Sequence, residues 1–171
     1  MQEEVRGPRD RVKHQAQMPR IDAVQPTHAG TWKHCRLLVP IDFSEASVNA
    51  LRYAGQLAGN KDAELTLLHV IDEPLSFRTL DFVGQQNARR RARLAQLDGL
   101  AHQVIEPGTP VKTVVCEGSP AEQISRVAAK DRSDVIIVGR HESRRFAHWL
   151  RLHTSAALAN SAPCQVLVLA D

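Results

Sequence analysis

From residue 34 onward, short apolar runs alternate with longer stretches in which apolar residues recur at three- and four-residue steps. The run Cys35-Arg36-Leu37-Leu38-Val39-Pro40 predicts a first strand. Ser44 then stands where a helix cap is needed, and Ala46, Ala50, Leu51, Ala54 and Leu57 mark one face of a first helix that Gly59-Asn60 ends. Glu64 to Val70 reads as a second strand, and Asp72 to Phe82 as a loop containing Pro74. Residues 85–104 form a long helical stretch with Leu94, Leu97, Leu100, Ala101 and Val104 as its buried stripe. Pro107, Gly108 and Pro110 break it, and the β-branched run Val111 to Cys116 predicts a third strand. Ser119 and Glu122 have capping-box spacing, with Pro120 at the first helical position of a helix that runs to about Lys130. Asp134 to Gly139 is a fourth strand, a polar loop and a helix over 150–160 follow, and Pro163 to Leu169 is a fifth strand.

Strand and helix alternate strictly, and right-handed crossovers turn that order into a parallel sheet with helices on both faces. Hydrophobic residues make up 43% of the chain but aromatics only 4%, so the core must be built from Val, Leu, Ile and Ala, as such sheets require. A ligand is expected beyond the carboxyl ends of the strands, where strand order reverses. Strands one and four should flank that point, and their ends carry Pro40-Ile41-Asp42 and Val138-Gly139-Arg140.

The 171 residues suit one domain plus a tail. Residues 1–32 read as a flexible N-terminal tail, rich in charges, Pro and Gly, and residues 33–171 as the domain. A net charge of +3 is mild and mixed with many acids, which argues against nucleic-acid binding. Three cysteines without C-x-x-C spacing suggest a reducing compartment, and the apolar runs are too short for a membrane span. With no apolar leader after Met1, a cytoplasmic location is expected.

Candidate chemistry is sparse. His69 reads as a packed or hydrogen-bonded strand residue, and His141, His148 and His153 lack metal-ligand spacing. Arg89, Arg90, Arg91 and Arg93 read as a solvated helix face, because no stacking aromatics accompany them. Arg144 and Arg145 lie in the loop where a phosphate site would form. The cysteines read as small buried hydrophobes. Cys116 and Glu117 end the third strand where a receiver domain needs its acid, and no lysine follows strand five. No G-x-S-x-G elbow or P-loop occurs.

Five stretches resemble the universal stress protein family in order: Leu38 to Glu45, Leu67 to Asp72, Glu117 to Pro120, Asp134 to His141 and Ala162 to Val168. The resemblance implies an α/β fold of adenine-nucleotide-hydrolase type, with a five-stranded parallel sheet in the order 3-2-1-4-5. It also implies a homodimer through the last strand, with Val166 and Val168 as contacts. Nucleotide-binding members carry G-x-x-G, nine residues, then G-[S/T]. Here Gly139 starts the pattern, Glu142 replaces the second glycine, and Leu152 and His153 replace the last pair, with Thr154 one place late. Asp42 matches an acid near the ribose or a metal, and Val70, Val138 and Gly139 match adenine-neighbouring positions. Pro40, Asp42, Val70, Val138, Gly139, Arg140 and Thr154 are therefore the candidate cofactor-binding residues, and ATP or another adenine nucleotide is the candidate ligand.

The damaged loop points to a non-enzymatic, dimeric stress-response protein that acts through protein contacts or by sensing a small ligand. The alternative is an adenine-nucleotide-binding stress protein with an altered phosphate loop.

Overall fold

The structure, a computed structural model, describes residues 34–61, 63–72, 82–140, 158 and 161–170. The expected tail at 1–32, most of the loop after the second strand, the polar loop after the fourth strand and most of the 150–160 helix lie outside those residues.

The described elements are β1 (Arg36–Pro40), α1 (Glu45–Lys61), β2 (Glu64–Ile71), α2 (Phe82–Val104), β3 (Val111–Glu117), α3 (Pro120–Asp131), β4 (Val135–Arg140) and β5 (Gln165–Ala170). Every strand pair is parallel, as the alternation of elements predicts, and the order is β3-β2-β1-β4-β5, as the family resemblance implies. Strand order reverses between β1 and β4, because β1 lies between β2 and β4 while the chain moves outward in both directions from it.

Both faces of the sheet are covered, which explains the nearly unbroken apolar strands. Leu37, Val39, Leu65, Leu67, Val135 and Ile137 point into one core with α1 and α2. Leu38, Leu68, Val70, Ile136 and Val138 point the other way, into a core shared with Ile124 and Val127 of α3 and with Leu158. The alternation follows from the two-residue period of a strand. Burial of a side chain such as Leu38, which is fully inaccessible, stabilises the fold by about 1.5–3 kcal/mol.

The helix starts differ in how they are specified. Ser44 caps α1: its Oγ accepts from the Ser47 N–H at 3.3 Å, while the Ser47 hydroxyl donates back to the Ser44 carbonyl at 2.9 Å. Ser119 occupies the cap position of α3 but its side chain makes no capping bond, so the expected capping box is not formed. Pro120 at the helix start supplies a preset φ and lacks one of the donors that a cap would satisfy.

The expected stripe of α2 is also shorter than its sequence pattern. Leu97 is fully buried and Ala101 nearly so, but Leu94 is 36% exposed. The cause is length. The 23 residues of α2 reach about 34 Å at about 1.5 Å each. The strands beneath it have eight and seven residues, or about 23–26 Å. The surplus lies at the N-terminal end of α2, which overhangs the carboxyl ends of the strands. Residues 87–96 are all exposed, and Gln86 Nε2 donates to Glu117 Oε2 at 3.3 Å, tying the overhang to the end of β3.

Candidate functional site

The carboxyl ends of β1 and β2 are tied together by two hydrogen bonds. The Ile41 N–H donates to the Leu68 carbonyl at 2.8 Å. His69 Nδ1 lies 2.7 Å from the Ile41 carbonyl oxygen. A carbonyl can only accept, so Nδ1 carries the proton. His69 is buried, and burial is the main cause that holds its pKa below the usual histidine range. The bond to Ile41 opposes that shift, the charge of Arg93 reinforces it, and Asp42 opposes it. The reading of His69 as a hydrogen-bonded core residue therefore holds.

Asp42 turns the chain out of β1. Its Oδ1 accepts from the Ser44 N–H at 2.9 Å and from the Ser44 hydroxyl at 2.5 Å. The carboxylate thus fixes the cap residue of α1, a local Asx turn. Between them, Phe43 takes a φ of +64°, a left-handed conformation that costs a non-glycine residue about 1–2 kcal/mol. Its ring is held by contacts: it packs on the core under α1 and α2 and lies 4.9 Å from the His69 ring, centroid to centroid, tilted by 50°. The Arg93 guanidinium carbon stands 5.8 Å from the Phe43 ring centroid.

These groups wall a cavity of about 530 Å³, open to solvent beneath the overhang of α2. Asp42, Phe43, His69, Val70, Arg89 and Arg93 line it. That volume lies in the range of about 300–1,000 Å³ usual for small-molecule sites. A second cavity of about 570 Å³ lies between α1 and α2, walled by Val48, Arg52, Leu100 and Glu106. Its walls are the surfaces of α1 and α2 and Glu106 just beyond α2, and none of the strand-end residues reaches it.

The sequence-predicted site residues separate into groups. Asp42 and Val70 meet at the β1–β2 cavity. Pro40 and Val138 are buried strand residues, and neither lines that cavity. Arg140 ends β4, in register with Ala170 of β5. Thr154, like Glu142, Arg144, Arg145, Trp149, Leu152 and His153, lies outside the described residues. Gly139 has a structural task. A Cβ at this position would stand 2.1 Å from the Ala46 carbonyl oxygen and 3.0 Å from the Ser47 nitrogen. The first turn of α1 therefore docks on bare backbone at the end of β4, which accounts for the glycine independently of any phosphate.

Of the residues that line the cavity, sequence reasoning had named Asp42 and Val70 as site residues and missed Phe43, His69, Asp72, Arg89 and Arg93. Phe43 sits inside a matching motif, and nothing in its type announces a left-handed backbone. Arg89 and Arg93 are exposed, as expected of a solvated helix face, yet both line the cavity. Their i, i+4 spacing was the available signal, but it has meaning only once the overhang of α2 is known. Two of the three thiols are held in the protonated form. Burial, then Asp134, pushes Cys35 up to about 12, and the same two causes push Cys164 up to about 11. Among the described residues, no three His, Cys, Asp or Glu side chains gather in a metal-binding group.

Sheet order, helices on both faces and a cleft at the strand ends define a doubly wound α/β protein of adenine-nucleotide-hydrolase type. The universal stress protein family profile matches residues 35–170, and the chain belongs to that family. Universal stress protein YxiE of Bacillus subtilis is 26% identical over 144 residues, 78% of this chain and 97% of its own length. The solved structure of MJ0577, a universal stress protein of Methanocaldococcus jannaschii, is 26% identical with a TM-score of 0.61, covering 81% of this chain and 96% of its own. A universal stress protein solved in complex with cAMP is 20% identical, with a TM-score of 0.59 and coverage of 81% and 98%; that likeness establishes the fold.

Proposed function

We propose that this universal stress protein is a non-enzymatic, dimeric, cytoplasmic sensor of a small adenine nucleotide, and that it does not rely on tight ATP binding. The carrying observation is the cavity of about 530 Å³ at the ends of β1 and β2, walled by two rings, two acids and two arginines. An apolar and aromatic wall suits a base, and the acids suit ribose hydroxyls. The similar structure solved with cAMP supports a nucleotide of that size. Against a triphosphate stands the sequence beyond Gly139, where Glu142 and Leu152 stand at positions that the nucleotide-binding pattern gives to glycine. The dimer reading is supported by Val168, 42% exposed on the edge strand β5.

The test is calorimetry on the full chain with AMP, cAMP and ATP, together with mass spectrometry of small molecules released on denaturation. AMP or cAMP should bind at least as tightly as ATP, and ATP should not turn over. Stoichiometric ATP bound more tightly than AMP would overturn the reading.

A further inference from the structure

We propose that Arg89 and Arg93 of α2 are the phosphate-holding residues of this cavity and select a ligand bearing a single phosphate. The inference rests on the nucleotide reading above and adds where the anion sits.

Several independent observations put these side chains at one place. They lie one helical turn apart, so they project from the same face of α2. Both line the cavity. Arg93 stands over the Phe43 ring at 5.8 Å, and its charge acts on His69. That stacking, with the bond from Arg93 Nη1 to Gln96 Oε1 at 2.9 Å, orients the guanidinium before a ligand arrives. Both arginines belong to the overhang and are exposed to solvent, so an anion reaches them without displacing the core. A guanidinium presents several N–H donors in a plane that matches phosphate oxygens.

Charge balance sets the number of phosphates. The cavity wall holds Arg89 and Arg93 against Asp42 and Asp72, with His69 neutral, so its formal charge is 2 − 2 = 0. Asp42 Oδ1 already accepts two hydrogen bonds from Ser44. A phosphate carrying one or two negative charges can be matched by the two guanidiniums. A triphosphate brings about four charges, and the surplus would face Asp42 and Asp72.

The experiment is calorimetry at fixed salt with adenosine, AMP and ATP on the full chain, on Arg89→Gln/Arg93→Gln, and on Arg90→Gln as a control for bulk charge. AMP should bind about 10- to 100-fold more tightly than adenosine. The double substitution should erase that preference, while Arg90→Gln keeps it. Equal affinity for adenosine and AMP, a preference that survives the double substitution, or an equal loss in Arg90→Gln would each overturn the assignment. If neither nucleoside nor nucleotide binds, the nucleotide reading itself fails. Titration with inorganic phosphate, read on the Nε–H resonances of Arg89 and Arg93, then decides the anion site alone: selective shifts sustain it, and unmoved resonances refute it.

Discussion

The Ala46 carbonyl oxygen occupies the space that a side chain on residue 139 would need, 2.1 Å from an ideal Cβ. Backbone meets backbone here, so neither partner can swing aside as a flexible side chain would. Gly139→Ala should therefore push the first turn of α1 off β4 and cost about 1–3 kcal/mol. Urea denaturation of the ligand-free protein measures this. An unchanged midpoint would mean that the glycine is kept for something other than helix docking.

His69 makes stability depend on pH. Its folded pKa lies below the usual value because burial disfavours the charged ring. The unfolded chain therefore binds a proton more readily. Stability from this group is complete above about 6.5, the unfolded value, and is lost as pH falls through the lower folded value. His69→Gln, which retains an N–H donor for the Ile41 carbonyl, should flatten that part of the profile. Denaturation series between pH 7 and pH 5 on both proteins provide the check; parallel curves would contradict it.

Val168 tests the proposed dimer better than Val166. Val166 is half-buried and packs on the second core, so a charge there would also damage the fold. Val168 is exposed on the edge strand. Val168→Arg would place two like charges near a two-fold axis, at a cost of several kcal/mol. Light scattering should report the mass of one chain, with an intact circular dichroism spectrum. A mass of two chains would remove β5 as the interface.

Tyr53 is 1% exposed and its hydroxyl has no hydrogen-bond partner among the described residues. Burial also raises its pKa. Deleting an unsatisfied buried hydroxyl while keeping the ring removes a desolvation penalty of about 1–3 kcal/mol. Tyr53→Phe should be at least as stable as the parent in urea, and a clear loss would reveal a bond to the tyrosine oxygen.

Much of the fold was legible because its signals are local. Each strand announces itself by an apolar run, and α1 by Ser44 and the spacing of Ala50, Leu51, Ala54 and Leu57. The site was legible only in part. Asp42 and Val70 do reach the cavity, whereas the glycine of the phosphate pattern, Gly139, answers to Ala46. A residue type can mark a position as special without saying which neighbour makes it so.

The alternation of strand and helix, with the handedness of parallel crossovers, determined from the sequence by itself a parallel sheet covered on both faces, because periodicity and chirality act over a few residues at a time, while the strand order was implied by the family resemblance. Tertiary structure decided the site. Phe43 and His69 are 26 positions apart in sequence, and Arg93 a further 24, yet packing of β1, β2 and an overlong α2 brings all three to one wall. Such meetings depend on relative element lengths and on which backbones can touch, quantities that no stretch of sequence states alone.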